Sequence, residues 1–163
     1  MTVTFQGNPM TLTGKQLKIG DKFPDFTLAK NDLSPLSLKD TTGKRIFATV
    51  PSLDTPVCDL ETRTFNTKAA SLPGVSIYVV SMDLPFAQAR WCGAAGVSTL
   101  TTLSDYKDRN FAASTGTGVA ELGLLTRAVF VVDAGGIVRY VQYVPEITDQ
   151  PDFEAALSAL QAL

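Results

Sequence analysis

Three short apolar runs constrain this chain more than any other feature. Residues 46–50, 75–82 and 127–133 are dense in β-branched and aromatic side chains and are bounded by proline, glycine or aspartate. Runs of that length and type read as strands buried on both faces. Helix signals fall between and after them. Thr55-Pro56 is a helix start, with threonine at the N-cap and proline in the first helical position. Residues 84–95 read as a short helix ending at glycine. Residues 152–163 are amphipathic, with Phe153, Ala156, Leu157 and Leu160 on one face. Strands alternating with helices, then a hairpin over 127–144 and a closing helix, predict an α/β fold with a mixed central sheet flanked by helices.

The remainder fills in around that frame. Val3/Phe5 and Met10/Leu12 alternate about Gly7-Asn8-Pro9, which predicts an N-terminal β-hairpin. Short strands are expected at 23–28, near 36–38 and at 99–103, a helix at 108–114 and a loop at 115–118. No linker, repeat or composition break divides residues 1–163, so one domain is expected.

Composition removes whole classes of chemistry. The chain has no histidine, which excludes Cys–His and Ser–His–Asp catalysis and every histidine-ligated metal site. Its two cysteines, Cys58 and Cys92, are too far apart for a CxxC dithiol and too few for a zinc site with several cysteine ligands. A net charge of −2 gives no electrostatic reason to expect nucleic acid or an acidic membrane surface as a partner. No apolar run is long enough to span a bilayer, and the N-terminus lacks the basic and apolar regions of a signal peptide. The default expectation is therefore cytoplasmic. In a reducing cytosol two cysteines are more readily a transient redox pair than a structural bridge.

Chemistry concentrates where the first apolar run meets the first helix. Pro51 ends the strand because it cannot donate to a ladder. The helix opens at Thr55-Pro56, and its apolar positions recur at Val57, Leu60, Phe65, Ala69 and Leu72. Cys58 thus falls in the first turn, where free N–H groups and the helix dipole favour an anion. A thiol so placed is biased towards the nucleophilic thiolate. From these residues alone the stretch is strand, turn and helix carrying either an activated cysteine or a buried structural one.

The spacing Pro51-x-x-x-Thr55-x-x-Cys58 resembles the active-site motif of the peroxiredoxins. Further segments are similar to the atypical two-cysteine branch, the bacterial thiol peroxidases: 5–9, 83–88, 91–94, 146–148 and 151–157. The resemblance covers nearly the whole chain and is weakest over 115–125. It implies a thioredoxin-like (peroxiredoxin) fold with an N-terminal hairpin, no cofactor and no metal. It makes Cys58 the peroxidatic nucleophile, which becomes a sulfenic acid, and Cys92 the resolving cysteine, which closes an intramolecular disulfide. Shifting a thiol from about 8.5 to about 6 needs roughly 3.4 kcal/mol of preference for the anion. A helix N-terminus supplies ~0.3–1 kcal/mol, or ~2 when partly buried. A hydrogen bond from an arginine, worth about 1.5–3 kcal/mol, covers the shortfall.

The resemblance nominates Arg127 for that bond. It has Thr55 bind the sulfur and the peroxide, beside the residue's independent reading as a helix cap. Pro51 packs over the sulfur in that picture. Glu61 reads as a first-turns acid and is given no place in the site. The implied partners are hydrogen peroxide and alkyl or lipid hydroperoxides as substrates, thioredoxin as reductant and a second copy in a homodimer. Two rivals are a general disulfide oxidoreductase, which the missing CxxC disfavours, and a redox sensor or holdase using Cys58.

Overall fold

The three apolar runs lie side by side in the middle of one seven-stranded sheet. The computed structural model describes residues 1–69 and 71–163, with Ala69 described in its backbone only. The chain opens with β1 (Val3–Phe5), β2 (Asn8–Met10), β3 (Leu12–Thr13), β4 (Thr27–Ala29), β5 (Pro35–Ser37) and β6 (Lys44–Thr49). It continues with α1 (Pro56–Ala69), β7 (Val75–Ser81), α2 (Pro85–Ala95), β8 (Thr101–Ser104) and α3 (Asn110–Thr115). It closes with β9 (Gly118–Val119), β10 (Leu124–Leu125), β11 (Ala128–Val132), β12 (Val138–Tyr143) and α4 (Phe153–Gln161). The main sheet runs β12-β11-β6-β7-β8-β4-β5, with β6, β7 and β8 parallel and the other pairings antiparallel, so it is mixed as expected.

Side-chain alternation along the central strands divides the core in two. Ile46, Ala48, Ile77, Val79, Val129 and Val131 face α1, α2 and α4. Phe47, Tyr78, Val80, Phe130 and Val132 face the other way, onto Phe23, Phe26 and Phe111. Phe23 stacks on Phe47 at 4.6 Å between centroids, and Phe47 on Tyr78 at 5.1 Å. Burying one such side chain contributes about 1.5–3 kcal/mol, which is why the apolar runs dominate the fold.

Three expectations are corrected. The strand expected over 23–28 narrows to Thr27–Ala29, because Pro24 has no N–H and the Asp25 carboxylate takes the Phe26 amide at 2.9 Å. On α1 the inward face is Cys58, Glu61, Thr62 and Phe65, all buried, whereas Leu60 points outwards and is 56% exposed. The apolar position expected at Ala69 concerns a side chain outside the described residues. The loop expected over 115–118 is a buried link into a small sheet, ordered β10-β9-β3. A Cβ at Gly118 would meet Thr13 Oγ1 at 2.3 Å, so any larger residue there would have to turn the Thr13 side chain aside.

The N-terminal hairpin forms as expected, β1 pairing with β2 in antiparallel register. Thr4 also exchanges backbone bonds with the 145–147 segment: its N–H donates to Pro145 O, and Ile147 N–H donates to Thr4 O, both at 2.8 Å.

Candidate active site

Pro51 is buried where β6 ends, and residues 51–55 turn the chain into α1. One carboxylate organises this turn. Asp83 accepts from the Leu53 amide and the Ser52 hydroxyl at 2.7 Å each, and from Ser81 Oγ at 2.9 Å. The Thr55 hydroxyl donates to Ser52 O at 2.9 Å, closing the turn, and the Thr55 carbonyl accepts the Asp59 amide at 2.9 Å. Thr55 therefore begins the helix through its backbone while its hydroxyl faces back along the loop. Its side chain is exposed, with no hydrogen bond to Cys58 among the described residues.

Cys58 is the third residue of α1 and is fully buried. Arg127 enters from the head of β11, its side chain 1% exposed, and spends its donors in three directions. Nε donates to Ile147 O at 2.9 Å, Nη1 pairs with the Glu61 carboxylate, and Nη2 donates to Cys58 Sγ at 3.2 Å. A planar guanidinium can make all three bonds at once, where a lysine ammonium would offer a single point of charge. Burial pulls the Arg127 pKa down, but the Glu61 carboxylate and the Cys58 sulfur outweigh it and the net direction is up. Arg127 stays a cation. Burial pushes the Glu61 carboxyl up to about 7, with Arg127 restraining the rise, and its Oε1 has no hydrogen-bond partner among the described residues.

Sequence reasoning passed over three supports of this cluster. Glu61 follows Cys58 by one helical turn, and that spacing was the available signal. Asp83 and Glu146 lie in segments that match the family, but nothing local disclosed their work. The Glu146 carboxylate accepts from Thr4 Oγ1 and Thr148 Oγ1 at 2.7 Å, and from the Gln6 and Gly7 amides at 2.9 and 3.0 Å. Those bonds, led by the one from Thr4, hold it down to about 2. Glu146 thereby fastens the hairpin to the segment whose next carbonyl, Ile147 O, seats Arg127.

Cys92 lies on α2, and both cysteines are free thiols. Its sulfur sits 3.4 Å from Thr102 Oγ1 on β8. The preceding residue ties the two helices together, Trp91 Nε1 donating to Asp59 Oδ1 at 2.7 Å. Arg63 bonds the other Asp59 oxygen at 2.9 Å and lies 5.7 Å over the Trp91 ring. Of the five residues named for the site, Cys58 and Arg127 are in direct contact. Pro51 and Thr55 flank them on the turn, and Cys92 is on α2, unbonded to Cys58 and packed against the same core cluster.

A sheet of this order, with a buried cysteine in the first turn of α1 facing an arginine from β11, defines a thiol-based redox protein. The redoxin family model matches residues 18–157. The thiol peroxidase of Clostridium acetobutylicum is 54% identical over 99% of both chains, and that of Bacillus subtilis 49% identical over 99% of this chain and 97% of its own. A solved peroxiredoxin-like protein from Aquifex aeolicus superimposes with a TM-score of 0.92 at 41% identity, covering 99% of this chain and 96% of that one. The chain belongs to the thiol peroxidase branch of the redoxin family and is a peroxiredoxin-type enzyme.

Proposed function

We propose that the protein reduces hydrogen peroxide and organic hydroperoxides through Cys58, resolves the product with Cys92 and is recycled by thioredoxin. The observation that carries this reading is the Arg127 Nη2 bond to Cys58 Sγ in the first turn of a helix. A fixed cationic donor there stabilises negative charge on sulfur and on the oxygen that develops charge during attack. The thiolate attacks the nearer peroxide oxygen, the O–O bond breaks, and the distal oxygen leaves as water or alcohol after taking a proton. Cys58 is left as a sulfenic acid. Cys92 then forms the S–S bond and expels the oxygen as water.

In this reading Thr55 turns its hydroxyl from Ser52 O to the bound peroxide, and Pro51 keeps water off the sulfur. The redox pair is Cys58 and Cys92, the working unit a homodimer in the cytoplasm; the family resemblance supports both the reductant and the assembly. The two sulfurs have separate anchors, which supports a disulfide that forms only when these anchors release. Such a bond is readily reduced, as suits a catalytic cycle.

Peroxide consumption coupled to thioredoxin, thioredoxin reductase and NADPH tests the reading. Sustained turnover with hydrogen peroxide and cumene hydroperoxide is expected. A single oxidation with no turnover would favour the sensor instead. Trp91 reports the rearrangement: its emission is expected to change with one equivalent of peroxide and to revert with dithiothreitol. Cys92→Ser is expected to lack that change.

A further inference from the structure

Resting on the reading of Cys92 as the resolving thiol, the hydrogen-bond chain behind it carries a further assignment. Thr102 Oγ1 lies 3.0 Å from Asn31 Oδ1 and 3.4 Å from Cys92 Sγ. An amide oxygen only accepts, and a threonine hydroxyl has one proton, so that proton goes to Asn31. The contact with Cys92 is then S–H donating to the hydroxyl oxygen. A thiolate at the same position would face oxygen lone pairs.

Thr102 is a rigid anchor for this contact. It is 2% exposed and paired in register with Val79 in the parallel β7–β8 ladder. The end of α2 is held by apolar packing of Cys92 and Ala95 and by Arg63 Nη1, which donates to Ala95 O at 3.3 Å, but none of these bonds the sulfur. The buried residues of that helix are Pro85, Gln88 and Trp91, all before Cys92. After it come Gly93 and the left-handed Gly96, which closes the helix with its N–H on Cys92 O. Cys92 itself is half-buried in the wall of an open hollow of about 430 Å³, shared with Asn31, Leu100 and Thr102 and with the charged Lys30 and Asp32. Solvent and small reagents therefore reach the neighbourhood of the sulfur, and the hydroxyl is its one described polar partner.

We propose that Thr102, oriented by Asn31, is a positioning residue that latches Cys92 as a thiol in the folded reduced enzyme and so limits the rate of resolution. The step it restrains is Cys92–SH plus Cys58–SOH giving the disulfide and water: the Cys92 proton is lost, the S–S bond forms and the S–O bond breaks. Slower resolution leaves the sulfenic acid open to a second hydroperoxide, which oxidises it to sulfinic acid and departs as water or alcohol. The latch thus sets how much peroxide the enzyme tolerates before it is inactivated.

Thr102→Val removes the acceptor at nearly constant volume, Thr102→Ser restores it, and Asn31→Ala frees the Thr102 proton to be donated to sulfur. Rapid mixing of each reduced protein with hydrogen peroxide resolves Cys58 oxidation as a first phase and disulfide closure as a second. The first phase is expected to match wild type in all three. The second is expected to be about three- to tenfold faster in Thr102→Val and Asn31→Ala, the range that one lost hydrogen bond allows, and unchanged in Thr102→Ser. Iodoacetamide should label Cys92 faster in the two accelerated variants, and mass spectrometry should find less sulfinic acid in them. Closure at the wild-type rate or slower in both Thr102→Val and Asn31→Ala, with a normal first phase, overturns the latch and leaves the peroxidase reading intact. A wild-type protein with no first phase overturns that reading itself.

Discussion

The two cysteines sit in opposite environments. Cys58 is sealed in the core against a cation that is itself held by a carboxylate and a backbone carbonyl. Cys92 stands half-exposed beside a neutral hydroxyl near the end of a helix. In a low-dielectric interior a fixed charge at about 3 Å acts with little screening, so the first setting favours an anion continuously. In the second the sulfur's described polar partner is a neutral hydroxyl, which in the proposed latch holds a thiol until the helix end moves. In the proposed cycle attack and resolution ask for different surroundings: one nucleophile held ready, the other kept back.

The largest contrast is expected from removing each sulfur. Cys58→Ser should abolish peroxide consumption, while Cys92→Ser should consume about one equivalent, stall with thioredoxin and drift to sulfinic acid. Equal loss of the first turnover in both would erase the distinction between the two environments.

Arg127→Lys should follow. It keeps the charge but cannot serve Ile147 O, Glu61 and Cys58 together. A fall of about 10- to 100-fold in the second-order rate with peroxide is expected, matching the loss of one charge-assisted bond. Stability should fall as well, because the buried Glu61 is left poorly paired. Stopped-flow kinetics and a thermal melt separate the two effects.

Glu61→Gln sharpens the comparison through pH. Burial raises the wild-type carboxyl from 4.5 to about 7 in the fold. Its contribution to stability is full below 4.5 and is lost as pH rises through 7. Urea melts at intervals from pH 4.5 to 8 should show wild type losing ground to Glu61→Gln across that window. A constant difference between the two would mean that Glu61 is ionised throughout.

The smallest effect is expected from Glu146→Gln, which acts at one remove. The variant loses charge-assisted bonds from the Gln6 and Gly7 amides, so those amides should exchange faster with deuterium. The peroxide rate should fall by only a few-fold, since Arg127 keeps its bonds to Glu61 and Cys58. In wild type this clasp is present above pH 4.5 and is lost as pH falls through 2.

What could be read from the chain was local. The strands at 46–50, 75–82 and 127–133 announced themselves because a fully buried strand must be apolar on both faces, and the sheet keeps all three at its centre. The first turn of α1 announced itself through Thr55-Pro56, since proline costs nothing where the N–H has no helical partner. Cys58 in that turn followed directly and the absence of histidine removed a Cys–His pair, but Arg127 was nominated only by the resemblance to the peroxiredoxins. Leu60 misled for a related reason: apolar identity marks one face of a helix only when the period is anchored, and Cys58, Glu61, Thr62 and Phe65 took the inner face.

Tertiary structure alone decided which charges are buried. Glu61 and Arg127 are 66 positions apart, and each by itself reads as a surface residue, because an unpaired charge is rarely buried. Only the pairing makes their burial tolerable, and only the fold supplies the pairing. The same holds for Glu146, which meets the hairpin about 140 residues away. It holds too for Thr102, whose single proton has a direction only because Asn31 stands beside it. Sequence determines where backbone and apolar surface must go, since those demands repeat along the chain. The partners of isolated polar atoms are settled in three dimensions, since one hydrogen bond between distant residues leaves no periodic trace.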